Sequence, residues 1–134
     1  MPLIANAESE EYDYRGMLLY TINDSKTAIT ITNSDFYSTA IAIPEKINGI
    51  PVTTIAQGAF SGRTNLKQVS IPDSVTSIDS SAFEYCKNIS RIVLPKNLQT
   101  IGCFAFEGCT NLEYINIPNN VTLIDAYAFS YCSN

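Results

Sequence analysis

One residue pattern recurs every 23 residues (from Phe60 to Phe83, for example) and constrains the fold more than any other feature. Phenylalanine preceded by alanine occupies one position of the pattern, at Phe60, Phe83, Phe106 and Phe129. Isoleucine occupies another position, at Ile55, Ile78, Ile101 and Ile124. A fixed period of about 20–29 residues is typical of a solenoid, in which each repeat forms one coil and stacks on its neighbours.

Within each repeat, one segment alternates apolar and polar residues as a β-strand does. In the first regular copy this segment is Leu66-x-x-Val69-x-Ile71, and Pro72 ends it because proline cannot donate the next ladder hydrogen bond. We expect the equivalent strands to lie about 4.8 Å apart in one parallel sheet. Val75-x-x-Ile78 is expected to turn the chain back inward, and Ala-Phe-x-x-Cys to form the opposite face.

The predicted fold class is therefore a leucine-rich-repeat solenoid, mainly β, with a parallel sheet on one face and short turns or single helical turns on the other. The pattern supports no longer helices. Two strand-like runs, Met17–Ile22 and Thr27–Thr32, flank a turn at Asn23–Lys26 and predict a β-hairpin. Since a terminal coil needs a cover for its open face, we expect this hairpin to cap the solenoid.

These observations divide the chain into four parts. Residues 1–11 are predicted to form a disordered acidic tail, and residues 12–36 the capping hairpin. Residues 37–54 form a degenerate first repeat with an insertion, and residues 55–134 form the 23-residue repeats, of which the last is incomplete.

The repeat also resembles a known family. From Ile101 to Ile124 it has the form Ile-Gly-x-x-Ala-Phe-x-Gly-Cys-x-Asn-Leu-x-x-Ile-x-Ile-Pro-x-x-Val-Thr-x-Ile, which is similar to the BspA-like leucine-rich repeats. Ile47–Ile55 resembles the irregular opening repeat of that family, so the resemblance covers about residues 37–134. It implies an extracellular or cell-surface protein, in many cases bacterial, that acts in adhesion and has no enzymatic activity. Two features depart from the pattern: Arg63 replaces the cysteine of the first regular repeat, and the array is short.

Composition excludes several functions. The net charge is −5 and no basic patch is present, so nucleic acid is not an expected partner. No run of 18 apolar residues occurs, so we expect no membrane insertion. The chain has no histidine, which removes both the commonest general base and the commonest zinc ligand. We expect no catalytic residue, metal or cofactor.

Two further residue types recur with the repeat. Cys86, Cys109 and Cys132 share one position, and we predict a ladder of buried, reduced thiols. The alternatives are a disulfide framework, as secreted proteins use, or a metal site. Cys103 lies outside the ladder and is expected to be partly exposed. Asparagine recurs just before each strand, where its amide can satisfy backbone groups at the bend: Asn65, Asn88 and Asn111.

The positions that the repeat leaves free are the candidates for function. On neighbouring strands they form two rows: Gln68, Arg91 and Tyr114, then Ser70, Val93 and Asn116. Arginine and tyrosine are enriched in interface hot spots, although a solvated sheet face would have the same pattern. The hypothesis is a non-catalytic binding or adhesion module for a protein or glycan partner. The alternatives are a structural spacer within a longer surface protein and a targeting domain of a secreted enzyme.

The final repeat predicts self-association. It stops before its Leu-x-x-Ile-x-Ile segment, which leaves the strand at Leu112–Ile117 with an unpaired outer edge. Because exposed edges pair with other chains and a two-fold contact is closed, we predict a tail-to-tail homodimer through the C-terminal end.

Overall fold

The structure, a computed structural model, describes residues 10–133, and these form ten short strands and no helix. The first five are β1 (Tyr12–Tyr14), β2 (Leu18–Ile22), β3 (Ile29–Ser34), β4 (Ala40–Ala42) and β5 (Lys46–Ile47). The others are β6 (Ile50–Ile55), β7 (Gln68–Ser70), β8 (Ser77–Ile78), β9 (Thr100–Ile101) and β10 (Leu123–Ile124). The mainly-β solenoid predicted from the repeat is confirmed, with turns in place of single helical turns. Most of the predicted acidic tail lies outside the described residues.

The position of the larger sheet within the coil differs from the prediction. β6, β8, β9 and β10 pair in parallel, in that order, through the Thr-x-Ile part of the repeat, where only an inward turn was expected. The Leu-x-x-Val-x-Ile face carries a two-stranded sheet, β4 with β7, followed by isolated bridges. Proline stops the ladder on that face. On the Thr-x-Ile face, threonine hydroxyls reinforce it, since Thr76 Oγ1 donates to Thr53 O at 3.4 Å.

The hairpin covers the N-terminal end of this sheet. β1, β2 and β3 are antiparallel, and β3 then pairs in parallel with β6, with Ile31 opposite Ile55. Ile29 and Ile31 are fully buried against the first coil. The second hairpin strand is thus also the first parallel strand of the solenoid.

A stack of phenylalanine rings forms the centre of the core, as predicted. Phe60, Phe83 and Phe106 are buried, and Phe129 is half-buried at the end of the stack. Successive ring centroids are 4.8, 5.3 and 5.3 Å apart, with interplanar angles of 10°, 2° and 0°. Stacked aromatic pairs of this kind contribute about 0.5–1.5 kcal/mol beyond the area they bury.

On the turn face, which the Ala-Phe-x-x-Cys segments form, the backbone hydrogen bonds between coils run in one direction. They include Phe60 N to Ala82 O (2.7 Å), Phe83 N to Ala105 O (2.8 Å) and Phe106 N to Ala128 O (2.8 Å). Each turn therefore directs N–H groups toward the C-terminal end of the solenoid and carbonyl groups toward the N-terminal end. The first regular turn has no regular turn before it, so its carbonyls need other donors.

Arg63 and Ser34 supply those donors. Ser34 Oγ donates to Ala59 O at 2.9 Å, and Arg63 Nη1 donates to Ser61 O at 2.8 Å. The same guanidinium donates to Ser34 O through Nε and Nη2, at 3.1 and 2.8 Å. It also lies 3.6 Å from the ring centroid of Phe36, and burial lowers the pKa of Arg63. The arginine that replaces the first cysteine is therefore a cap for exposed carbonyls.

The ring stack gives a stability prediction. Phe83→Ala or Phe106→Ala removes a fully enclosed ring and should lower the free energy of unfolding by about 3–5 kcal/mol. Gln68→Ala alters an exposed side chain and should change it by less than about 0.5 kcal/mol. Urea unfolding of the variants measures both effects. Coinciding midpoints for the two classes would show that these residues are assigned to the wrong faces.

The cap gives a second prediction. Arg63→Ala leaves carbonyls of Ser34 and Ser61 without donors and should destabilise the protein by about 1.5–3 kcal/mol, the range for hydrogen bonds to charged groups. The matched control is Arg91→Ala, which removes an exposed arginine and should leave the urea midpoint nearly unchanged. Equal midpoints for the two variants would contradict the capping role.

Candidate binding face

The six residues predicted to form a site lie together on one exposed face. β7 is paired with β4, so that Gln68 is opposite Ala40 and Ser70 opposite Ala42. The two isolated bridges extend the same register by joining Ser70 to Val93 and Arg91 to Tyr114. Asn116 follows on the last of these strands and is exposed. We call this surface the strand face: Gln68, Ser70, Arg91, Val93, Tyr114 and Asn116.

The alternation of the strand segments sets the direction of these side chains. In β7, Val69 is buried between exposed Gln68 and Ser70. In the next coil, Ile92 and Leu94 are buried on either side of Val93, which is 69% exposed. Successive side chains of a strand point to opposite faces, so burying the aliphatic residues directs the others to solvent.

Two open grooves lie on the strand face and meet at Arg91 and Val93. The groove toward the N-terminal end has a volume of about 580 Å³ and is also lined by Ala42, Lys67, Gln68 and Ser70. The groove toward the C-terminal end has a volume of about 680 Å³ and is also lined by Lys96, Tyr114, Asn116 and Asn120. Together they form a continuous surface across several coils.

The charge of the grooves is opposite to that of the chain. Lys67, Arg91 and Lys96 line them, whereas no carboxylate does, although the net charge of the protein is −5. Lys96 Nζ lies 3.7 Å from Asp73 Oδ2, but both groups are largely exposed and such pairs contribute little. Within residues 10–133, Lys67 and Arg91 have no ion-pair partner.

Two of the three recurring asparagines satisfy backbone groups, as predicted, but these groups belong to the preceding coil, while Asn111 donates to Asn88 Oδ1 at 3.5 Å. The amide of Asn65 donates to Phe36 O at 2.9 Å, and that of Asn88 donates to Thr64 O at 2.5 Å. A second ladder was not predicted: Asn97 Nδ2 donates to Asp73 O and Asn120 Nδ2 to Lys96 O, at 3.0 and 3.1 Å. Its signal in the sequence is asparagine two residues after proline.

The repeated cysteines also hold the coils together. Their thiols donate to phenylalanine carbonyls of the preceding coil: Cys86 to Phe60 O (3.0 Å), Cys109 to Phe83 O (3.2 Å) and Cys132 to Phe106 O (3.2 Å). Burial raises the pKa of Cys86 to about 12 and raises those of Cys109 and Cys132 as well. Since the thiolate is the reactive form, these groups are poor nucleophiles at neutral pH.

Cys103 lies apart from the ladder and is half-buried. Desolvation, together with the charges of Asp125 and Glu107, raises its pKa. No group of three or more histidine, cysteine or acidic residues that could hold a metal occurs among residues 10–133. In the same residues, no helix has the length and hydropathy needed to cross a membrane.

Comparison with known proteins identifies the family to which the repeat belongs. A sequence model of the BspA type leucine rich repeat region matches residues 9–134 in six copies. The chain belongs to the BspA-type leucine-rich repeat family. The match includes the hairpin, in agreement with the role of β3 as the first parallel strand of the solenoid. Such repeats form protein-interaction or surface-type modules and are generally non-catalytic.

Solved structures agree with this assignment. A leucine-rich repeat protein from Bacteroides capillosus is 36% identical, with 88% of each chain covered and a TM-score of 0.79. The T. pallidum leucine-rich repeat protein is 27% identical over 92% of this chain and 68% of its own, with a TM-score of 0.71. A Bacteroides ovatus leucine-rich repeat protein shares the fold at 24% identity and a TM-score of 0.80, but this BspA-type chain covers only 33% of it. No curated protein is significantly similar to the chain.

The cysteine geometry predicts an order of chemical labelling. In native alkylation, Cys103 should react first and Cys132 next, whereas Cys86 and Cys109 should stay protected until the protein unfolds, because their thiols are buried and hydrogen-bonded. Mass spectrometry of peptides after timed labelling gives the order. A mass deficit of two hydrogens for an intramolecular cysteine pair would contradict the prediction of reduced thiols.

Proposed function

We propose that this BspA-type chain is a non-catalytic binding module of a secreted or cell-surface protein, and that it recognises a protein or glycan partner through the strand face. Family membership supports an interaction module of surface type. The extracellular location and the role in adhesion are part of the proposal, because the repeats by themselves indicate only an interaction or surface-type module. Bacterial origin is proposed on the same ground, since the similar solved structures come from bacteria.

The observation that carries this proposal is the unused polar chemistry of the strand face. Elsewhere, the recurring asparagine, threonine and cysteine side chains bond to a neighbouring coil. In residues 10–133, the side chains of Gln68, Arg91 and Tyr114 make no hydrogen bond and no ion pair. Arginine and tyrosine that do not hold the fold together are available to a partner, and they are the residue types that interface hot spots favour.

The absence of catalysis is proposed on chemical grounds. The chain has no histidine, and burial raises the pKa of the thiols in the cysteine ladder. A nucleophile needs an adjacent base or a lowered pKa to react at neutral pH. Neither requirement is met by the cysteines, which serve the contacts between coils.

Substitutions on the strand face test the function. Arg91→Ala and Tyr114→Ala should each weaken binding by about tenfold or more, the loss of a hot-spot contact, while the melting temperature stays nearly unchanged. Arrays of purified proteins and oligosaccharides, probed with the wild type and both variants, measure the binding, and calorimetry measures the stability. The control is Tyr131→Ala, an exposed tyrosine on the turn face.

An affinity that ignores both substitutions would place the site elsewhere. The Ile47–Ile55 segment and the hairpin would then be the next surfaces to test.

A homodimer through the C-terminal end is a second proposal, supported by the outer edge of β10. The amides of Leu123 and Asp125 donate to the preceding coil, which leaves the N–H and C=O of Ile124 on the outer edge. Leu123 and Ile124 are 51% and 47% exposed, so an apolar surface surrounds these groups. Antiparallel pairing of two β10 strands across a two-fold axis would satisfy both Ile124 backbones and close the contact.

Light scattering after size exclusion tests the dimer. We expect twice the monomer mass at tens of micromolar, and Ile124→Lys should give the monomer because it places like charges across the two-fold axis. Val93→Lys, on the strand face, is the control and should leave the mass unchanged. A wild-type monomer at these concentrations, with the amide of Ile124 protected from exchange, would contradict the proposal.

A further inference from the structure

We propose that the grooves of the strand face bind a linear acidic polysaccharide, with about one sugar unit per coil, one carboxylate near Lys67 and the next near Arg91 and Lys96. This inference rests on the proposed function, and it names the ligand class. It is carried by three features of the strand face: its charge, its spacing along the solenoid and the chemistry of the side chains between the cations.

The charge of the lining favours an anion. Of residues 10–133, three cations and no carboxylate line the two grooves, on a protein with a net charge of −5. Asp73, 3.7 Å from Lys96 Nζ, lies outside both linings. Glu113 is exposed on the same strand as Tyr114 but lies outside both linings. A cleft lined by one sign of charge focuses the field and concentrates ions of the opposite sign, so these grooves attract carboxylates while the rest of the surface repels them.

The spacing of the exposed row Gln68, Arg91 and Tyr114 along the solenoid favours a polysaccharide over an extended peptide. Equivalent positions on neighbouring coils repeat at the strand separation, about 4.8 Å. A pyranose unit of a linear polysaccharide has a comparable length, so each successive unit can lie opposite the next coil. An extended peptide places side chains of one face about 6.6–6.8 Å apart, twice the rise per residue, and loses register with the coils after the first contact.

The side chains between the cations match a sugar ring. Tyr114 and Val93 are 59% and 69% exposed and offer an aromatic and an aliphatic surface to the C–H faces of pyranose rings. The amides of Gln68 and Asn116, each with donor and acceptor atoms, stand beside them for the hydroxyl groups. Asn120 donates its Nδ2 to Lys96 O, which leaves its Oδ1 as an acceptor at the rim.

The test uses oligogalacturonides, which carry one carboxylate per unit, and their fully methyl-esterified forms, which have the same rings without charge. Titration calorimetry should show binding of the acidic oligomers, at least tenfold weaker binding of the esterified ones, and a loss of affinity with added salt. Arg91→Gln should weaken binding of the acidic oligomer by about tenfold, one contact of about 1.4 kcal/mol. Tyr114→Ala should weaken it, and Tyr114→Phe should restore it.

The matched control is Lys87→Gln, which removes one positive charge from the turn face and alters the net charge as Arg91→Gln does. Equal losses for these two variants would overturn the inference, because long-range charge alone would then explain the binding. Failure of the acidic oligomers to bind would also overturn it.

Tighter binding of poly-L-glutamate than of oligogalacturonide would overturn the inference in favour of an acidic polypeptide. In each of these failures the proposed function stands if Arg91→Ala and Tyr114→Ala still abolish binding to an arrayed partner. The proposed function fails if these two substitutions leave binding to the arrayed partner unchanged, whatever the result with the acidic oligomers.

Discussion

Contact between coils is the interaction on which the whole structure depends. Ordering the backbone of one 23-residue coil costs about 1–2 kcal/mol per residue, and its few inward apolar side chains return about 1.5–3 kcal/mol each, so a single coil is unstable alone. The stack adds hydrogen bonds of one polarity on the turn face, a parallel ladder on the Thr-x-Ile face and a column of phenylalanine rings between them. Stability therefore belongs to the array, and each repeat depends on its neighbours.

The one-way polarity of the turn hydrogen bonds makes the two ends of the solenoid chemically different. At the N-terminal end the turn presents carbonyls, and a guanidinium, a group with donors only, is the side chain that can satisfy several of them together. This explains why Arg63 is buried without an ion pair in the described part of the chain: the carbonyls of Ser34 and Ser61 replace water around the charge. The hairpin completes the cover by adding β3 to the large sheet.

The polar residues of the repeat separate into two groups with different roles. One group forms hydrogen bonds between coils, so its substitution lowers stability; it includes Asn88, Thr76 and Cys86. The other group forms the strand face, where the side chains of Arg91 and Tyr114 are exposed and make no hydrogen bond or ion pair with any other of residues 10–133. Because the fold does not depend on these side chains, they can be substituted while the solenoid stays intact.

The sequence by itself determined the solenoid, the phenylalanine core, the structural role of the recurring asparagines and the position of Gln68, Arg91 and Tyr114 on one exposed face. It could do so because residues that are 23 positions apart become neighbours in space once coils stack. The repeat shows both this period and the apolar positions that become buried. Only the tertiary structure decided which part of the coil carries the larger sheet and why Arg63 breaks the cysteine column. The first depends on proline, which ends the ladder on one face, and on the threonine hydrogen bonds that join coils on the other. The second depends on a contact between Arg63 and Ser34, which are 29 residues apart and so do not follow the 23-residue period.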